Sequence, residues 1–140
     1  MSAPLAIVTG ASRGIGKAIA ERLAGDGFFV VGTATSDSGA SAITVYLEEA
    51  GLTGVGRVLN VTEPGAIETF IDDVSEAFGT PAVLVNNAGI TRDNLLMRMK
   101  DDEWDDILRT NLTSIFRLSK ACMRGMMKAR HGRIVNITSV

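Results

Sequence analysis

The sequence predicts a doubly wound α/β fold, in which helices cover both faces of a parallel sheet. Short apolar segments alternate with segments whose apolar residues recur at helical spacing. The short segments are continuously apolar, which is typical of parallel strands buried on both faces. Right-handed crossovers between such strands lead to a Rossmann-like sheet, for which we expect the strand order 3-2-1-4-5.

Five strands are predicted, each from an apolar run bounded by turn residues. They cover residues 5–9, 28–33, 55–61, 82–86 and 133–140. The first run is broken by the glycines of TGASRGIG, and Pro81 precedes the fourth run, where a proline is tolerated. The last run reaches the final residue, so we expect an edge strand and a sheet that is incomplete on its carboxyl-terminal side.

Helices are predicted between the strands from apolar residues at spacings of three and four. The first carries Ile15, Ile19, Ala20 and Leu23 and ends at Gly25 and Gly27. The second covers residues 38–50, with Ala42, Ile43 and Leu47 on one face. The third runs from about Pro64, a residue suited to a first helical turn, to Phe78. A long helical region is predicted from Asp101 to Ala129, anchored near its start by Trp104 and with a kink near Thr113.

Composition predicts one ordinary globular domain. A chain of 140 residues with 46% hydrophobic and 21% charged residues can bury a real core, and a net charge of −2 suggests neither nucleic acid nor a membrane as partner. The single cysteine, Cys122, and the absence of a secretory signal favour a cytoplasmic setting. Cys122 lies on a predicted helical stripe with Leu112 and Met126, which favours a buried thiol, and His131 has no partner at metal-ligand spacing, so no metal is expected.

The first candidate site is the glycine loop between the first strand and helix. Glycines at 10, 14 and 16 give the pattern G-x-x-x-G-x-G. Gly10 would permit a sharp turn, Gly14 would let the backbone approach a pyrophosphate, and Gly16 would pack the helix against the sheet. The helix amino terminus would then offer N–H groups to phosphate, which predicts a dinucleotide site.

The end of the second strand favours NADPH over NADH. An enzyme that uses NAD usually places an acid there, but Thr33, Thr35 and Ser36 come before the first acid, Asp37. Hydroxyl groups together with Arg13 would suit the 2′-phosphate of NADPH, since a guanidinium binds phosphate bidentately. The alternative for Arg13 is a loop residue that faces solvent.

Two further segments follow predicted strands. Asn86, Asn87, Ala88 and Gly89 come after the fourth, and Asn60 and Val61 stand at the end of the third. Because ligands bind at the carboxyl ends of parallel strands, we expect these residues near the cofactor.

The motifs TGASRGIG and NNAG, with a strand ending in Ser139, resemble the short-chain dehydrogenase/reductase family over the whole chain. The stretch NNAGITRDNLLMRMKDDEWDDILRTNLTSIFRLSKA and the segment GTATS are most similar to its bacterial 3-oxoacyl-[acyl-carrier-protein] reductase subfamily. The resemblance implies NADPH-dependent ketone reduction in fatty acid biosynthesis by a homotetramer packed through the late helices. The cofactor-binding positions that it implies are Gly10, Ala11, Ser12, Arg13, Gly16, Thr35, Asn60, Val61, Asn87, Ala88 and Gly89.

The resemblance also implies roles for two catalytic residues. Ser139 would bind the reacting substrate oxygen as charge builds on it, and Asn111 would hold a water for proton resupply. The family's Tyr-x-x-x-Lys pair is missing: Tyr46 is the only tyrosine, and Ala50 stands four residues later. Tyr46 is expected to pack or to face solvent. We therefore expect one NADP-binding domain over residues 1–140 that stops before this pair and is inactive alone. The alternatives are another short-chain ketone reductase and a non-catalytic dinucleotide-binding module.

Basic residues accumulate late in the chain, since all 16 acidic residues precede Ile107. Arg117, Lys120, Arg124 and Lys128 recur at spacings of three and four on one helical side. A solvated stripe bordering a subunit interface is one interpretation. The other is a docking surface for acidic acyl carrier protein that carries the 3-oxoacyl group, with Lys128, Arg130 and Arg133 as candidate contacts.

Overall fold

The computed structural model describes residues 3–87 and 98–137, without the side chains of 109 and 110. It contains one parallel sheet in the order β3-β2-β1-β4-β5, which confirms the predicted order. The strands are Leu5–Val8 (β1), Phe29–Ala34 (β2), Gly54–Val58 (β3), Pro81–Asn86 (β4) and Arg133–Asn136 (β5). Because all five strands are parallel, their carboxyl ends lie along one edge of the sheet.

Helices connect the strands, as the alternating pattern predicts. They are Gly14–Gly25 (α1), Asp37–Glu49 (α2), Ala66–Phe78 (α3), Asp101–Ile107 (α4) and Ser114–Ala129 (α5). A π-helical segment, Leu108–Thr113, joins α4 to α5 and includes the position where the sequence predicts a kink. No helix in the described ranges is long and apolar enough to cross a membrane.

The strands are apolar throughout because they separate two hydrophobic clusters. Leu5 and Ile7 of β1 face α3 and α5, where Phe70 and Leu118 are buried. Their neighbours Ala6 and Val8 face the opposite side; that cluster includes the α1 and α2 residues Ala20, Ala24, Ile43 and Leu47. Successive residues of a strand point to opposite faces, so both sets must be apolar.

Two predicted boundaries are wrong for local reasons. Strand β3 ends at Val58 rather than at residue 61, because Asn60 starts a turn in which its carbonyl oxygen accepts a hydrogen bond from the Glu63 amide. Helix α3 begins at Ala66, two residues after Pro64. Gly65 precedes the helix with a φ of 77°, a left-handed conformation that excludes Pro64 from the first turn.

Four apolar side chains predicted to be inward or anchoring are exposed. Ile15, Trp104 and Leu112 have exposed fractions of 63%, 50% and 62%, and Ala42 is exposed as well. In α1 the buried positions are Gly16, Ala20 and Ala24, at a spacing of four, and Ala20 is among the residues predicted. In α2 they are Ala40, Ile43 and Leu47. The predicted periodicity is confirmed for these helices, with Ala20, Ile43 and Leu47 buried as expected, whereas Ile15 and Ala42 are exposed.

Candidate functional site

Four predicted site segments meet at the carboxyl edge of the sheet. The glycine loop follows β1, Thr35 follows β2, Asn60 lies two residues beyond β3, and Asn87 follows β4. The strand order puts the glycine loop between the segments that follow β2 and β4. This is the arrangement that the sequence predicts for the cofactor end.

Hydrogen bonds from both neighbouring strands hold the glycine loop. On the β2 side, the Gly10 amide donates to the Thr33 Oγ1 at 3.3 Å and the Ala11 amide donates to the Thr33 carbonyl at 2.8 Å. On the β4 side, the Asn87 Nδ2 donates to the Gly10 carbonyl at 3.1 Å, and the Asn87 amide donates to the Thr9 Oγ1 at 2.9 Å. The loop backbone is therefore positioned by the sheet before any ligand binds.

Glycine is required at two kinds of position in this loop. Gly10 and Gly14 have φ values of 62° and 61°, which side chains disfavour. A Cβ at Gly16 would collide with the Gly10 carbonyl and would lie 2.6 Å from the Asn87 Nδ2. The close approach at Gly16 is thus to the loop and Asn87, whereas the sequence predicts an approach to the sheet.

The glycine loop has an open side and two amides without a described partner. A Cβ at Gly14 would have no described neighbour within 4 Å, so this side of the loop is open. The amides of Ser12 and Arg13 donate to no described residue, and Arg13 is exposed at the N-cap of α1 in an extended conformation. Unpaired amides at a helix amino terminus are the groups that bind phosphate.

The hydroxyl groups at the end of β2 and just after it differ in availability. Thr35 is exposed. Thr33 is 2% exposed and accepts hydrogen bonds from the glycine loop, so its hydroxyl is not available to a 2′-phosphate as the sequence suggests. Ser36 caps α2 by accepting a hydrogen bond from the Gly39 amide at 3.1 Å. Among the predicted phosphate ligands, Arg13, Thr35 and Ser36 are exposed, and the Ser36 hydroxyl is already engaged in the helix cap.

Asn60 and Val61 lie near the carboxyl edge but offer different groups. The Asn60 Oδ1 accepts hydrogen bonds from the Thr62 amide at 3.1 Å and the Thr62 hydroxyl at 2.7 Å. Val61 is 8% exposed and packs in the core, so only its backbone can contact a ligand.

Tyr46 contacts the site, which the sequence reasoning missed. Its hydroxyl donates to the Ala11 carbonyl at 2.7 Å, and the Lys17 Nζ lies 5.0 Å from its ring centroid. Burial and, secondarily, the Glu21 carboxylate raise the pKa of Tyr46 to about 12. Tyr46 directly precedes Leu47 at the edge of the buried face of α2. This position could have indicated that the Tyr46 side chain contacts a residue outside the hydrophobic core.

Comparison with known proteins identifies the family. The family profile described as short chain dehydrogenase matches residues 4–140. The chain belongs to the short chain dehydrogenase family. It is 63% identical over 136 residues to "3-oxoacyl-[acyl-carrier-protein] reductase FabG" of Escherichia coli (strain K12), covering 97% of this chain and 54% of that protein. The proteins of the same name from Haemophilus influenzae and Pseudomonas aeruginosa are 60% identical over 140 residues and 56% identical over 136 residues.

These alignments cover the amino-terminal part of longer proteins. The Haemophilus influenzae match includes 100% of this chain and 57% of that protein, and the Pseudomonas aeruginosa match 97% and 55%. The chain therefore spans about half the length of the curated relatives that it matches.

The predicted catalytic residues are only partly described. Asn111 is partly buried within the π-helical segment Leu108–Thr113. Short π-helical insertions are frequent at functional sites. Ser139, Ala88 and Gly89 lie outside the described residues, so the structure does not test their predicted roles.

The candidate partner contacts lie in the last turn of α5, at its C-cap and at the start of β5. Lys128, Arg130 and Arg133 are all exposed. Arg130 has φ 55° and is the one non-glycine residue with positive φ in the described part of the chain. The Arg130 and His131 amides donate to the carbonyls of Met127 and Met126, so this conformation ends the helix.

The single cysteine is buried, and the possible metal ligands of the described residues lie apart. Cys122 is 1% exposed, so the burial predicted from the helical stripe is confirmed, and this burial raises the pKa of the thiol to about 12. Within residues 3–87 and 98–137, no three His, Cys, Asp or Glu side chains gather as a metal site.

Proposed function

We propose that the protein, at its full natural length, reduces 3-oxoacyl-[acyl-carrier-protein] to the 3-hydroxyacyl form with NADPH, in fatty acid biosynthesis. The observation that carries this proposal is a dinucleotide-type glycine loop, held by hydrogen bonds from the β2 side and the β4 side. The chain with this loop is 63% identical to a protein named 3-oxoacyl-[acyl-carrier-protein] reductase. The test is NADPH oxidation with a 3-oxoacyl thioester, measured on the full-length protein. Turnover of free ketones but not of thioesters would favour another short-chain reductase instead.

The proposed cofactor contacts use the groups available at the edge of the sheet. The backbone of Gly10, Ala11, Ser12 and Arg13 would line the pyrophosphate, while Gly16 keeps α1 close. Thr35, which follows β2, and the guanidinium of Arg13, which lies in the loop after β1, would bind the 2′-phosphate, since both residues are exposed. Asn60 and the Val61 backbone would contact adenine, and Asn87, Ala88 and Gly89 would contact the ribose side. When bound, the nicotinamide supplies the hydride.

The proton side of the reaction is proposed to depend on Ser139 and Asn111. Ser139 would bind the substrate and stabilise negative charge on its oxygen, and Asn111 would hold a water for proton resupply. Tyr46 does not serve as the acid: a pKa of about 12 makes it a poor donor near neutral pH, and its hydroxyl is bonded to Ala11. Without a Tyr-x-x-x-Lys pair, residues 1–140 alone should not reduce ketones.

The choice of NADPH can be tested by placing an acid after β2. Thr35→Asp should repel a 2′-phosphate and accept ribose hydroxyls, shifting preference towards NADH by roughly 10-fold or more. Thr53→Asp is the matched control, because Thr53 is exposed just before β3, at the opposite edge of the sheet. Equal catalytic efficiency with both cofactors in the unmodified protein would overturn this assignment.

Docking of acyl carrier protein is proposed at Lys128, Arg130 and Arg133. Three exposed cations within six residues of the chain suit an acidic partner, and the attraction weakens as salt rises. Arg130→Glu should raise KM for the carrier-linked substrate, most at low salt, and leave a small thioester analogue unaffected. Arg22→Glu, at the end of α1, is the control for an equal change in charge. Equal losses with both substrates would exclude docking at Arg130.

We further propose that the full-length protein is a cytoplasmic homotetramer packed through the late helices. Support comes from the outer face of α5, where Phe116, Met123 and Met127 are 62%, 48% and 70% exposed. Apolar side chains in such a row are typical of contact surfaces. Light scattering of the full-length protein should give four times the chain mass. Met127→Glu should lower the mass that light scattering measures.

A further inference from the structure

We propose that Tyr46 is a positioning residue of the cofactor site, because its hydroxyl fixes the peptide unit that carries the Ser12 amide. This inference rests on the proposed dinucleotide function. Tyr46 comes from α2, an element that the glycine-loop motif does not include.

The hydrogen bonds of the glycine loop show what Tyr46 contributes. The Gly10 amide and the Ala11 amide donate to Thr33, and the Gly10 carbonyl accepts from Asn87. These three groups are held by residues of or next to β2 and β4. The fourth group, the Ala11 carbonyl, accepts from the Tyr46 hydroxyl at 2.7 Å. Tyr46 therefore completes the set of partners for Gly10 and Ala11.

The direction of the Ser12 N–H follows from peptide geometry. The Ala11 carbonyl and the Ser12 N–H belong to one planar trans peptide unit, in which the two bonds point in opposite directions. A carbonyl directed at the Tyr46 hydroxyl therefore directs the Ser12 N–H away from α2. That amide has no partner among the described residues, so it is available for an anionic ligand.

The environment of Tyr46 keeps this hydrogen bond in place. The ring is partly buried, and the Lys17 ammonium lies over its face at 5.0 Å from the centroid. Burial and Glu21 raise the pKa of Tyr46 to about 12, so the phenol remains a protonated donor over the working pH range. Lys17 stands in the first turn of α1, which directly follows the loop, so ring and loop are held together.

Tyr46→Phe isolates the hydroxyl, because it keeps the ring under Lys17. In the full-length protein it should raise the Kd and KM for NADPH about five- to tenfold, the range expected for one hydrogen bond, while kcat at saturating NADPH stays within about twofold. Thr44→Val is the matched control. The Thr44 hydroxyl donates to the Ala40 carbonyl at 3.4 Å and accepts from the Gly56 amide at 2.9 Å, so its loss loosens α2 on the β3 side.

The outcomes separate positioning from general stability. Weaker NADPH binding in Tyr46→Phe, with the NADPH Kd of Thr44→Val within twofold of the unmodified protein, supports the inference. Equal weakening in both variants, or an unchanged Kd in Tyr46→Phe, overturns it. If the unmodified protein does not bind NADPH, the proposed function is overturned and this inference with it. Binding assays with NADPH alone therefore distinguish the two failures.

Discussion

Strands β1 and β5 belong to one sheet but differ in how far their side chains are buried. All four residues of Leu5–Val8 are buried, whereas all four residues of Arg133–Asn136 are exposed. The helices differ similarly. Helix α1 begins against the glycine loop, and α5 presents Phe116 and Met127 outward. The geometry of the β1 region is thus set by contacts within the described residues, while the β5 region has polar and apolar groups that no described residue covers.

The largest expected effect is at the centre of the β1 region. Gly16→Ala adds a methyl group against the Gly10 carbonyl and the Asn87 side chain, and backbone cannot move aside cheaply. We expect a loss of about 3 kcal/mol in unfolding free energy, and weaker NADPH binding by about 100-fold or more.

Gly25→Ala is the matched control within the same helix. A Cβ at Gly25 has no described neighbour within 4 Å, so the change should be neutral or stabilising by about 0.5 kcal/mol. Urea unfolding and NADPH titration of both variants provide the measurement. Equal effects would mean that the glycine loop is not closely packed.

The inner face of α5 qualifies the contrast, because Cys122 is as buried as β1. Burial raises the pKa of the thiol from 9.0 to about 12. The folded state therefore holds the proton more tightly, so the contribution to stability is complete below pH 9 and is lost as pH rises from 9 to 12. At about 1.4 kcal/mol per pH unit, the loss should reach about 2 kcal/mol at pH 10.5.

Cys122→Ala tests this pH dependence. The variant is less stable at pH 8, but its unfolding free energy should fall by about 2 kcal/mol less between pH 8 and 10.5. Tyr46→Phe serves as the comparison, because the Tyr46 pKa is raised from 10.0 to about 12 and affects only the interval above pH 10. Identical losses in Cys122→Ala and the unmodified chain would show that α5 docks loosely.

A side-chain contact joins β5 to its neighbour β4 at the carboxyl edge. The Asn86 Nδ2 donates to the Asn136 Oδ1 at 2.9 Å, while the buried Asn86 Oδ1 has no partner among the described residues. Asn136→Ala would leave the whole amide unsatisfied and should cost between about 1 and 2 kcal/mol. Asn136→Asp keeps an acceptor and should lose less. If both variants unfold at the same urea concentration, this contact does not stabilise the sheet.

The sequence could predict the framework of both regions but not their side-chain contacts. Continuous apolar strands predicted the fold, and the spacing of Gly10, Gly14 and Gly16 predicted the glycine loop. Both patterns can be read from residues that are close in sequence. The hydrogen bonds of Thr33 and Tyr46 to the loop depend on how β2 and α2 pack, which periodicity does not specify. For the same reason, Ile15 was expected inside although it is exposed.

The smallest predicted effect concerns Arg130, which ends α5 in a left-handed conformation that glycine adopts without strain. If the β5 region retains this residue for binding rather than for folding, Arg130→Gly should raise the unfolding free energy, by up to about 1 kcal/mol. Lys128→Gly is the control: it lies in the last turn of α5, where glycine should cost about 0.5 to 1 kcal/mol. Both variants remove a cation from the proposed docking surface, so both should raise KM for a carrier-linked substrate, although their stabilities change in opposite directions. Urea unfolding of the two variants measures the sign directly. A destabilised Arg130→Gly would mean that the arginine is selected for the fold, and the contrast between the β1 and β5 regions would then be weaker at this helix end.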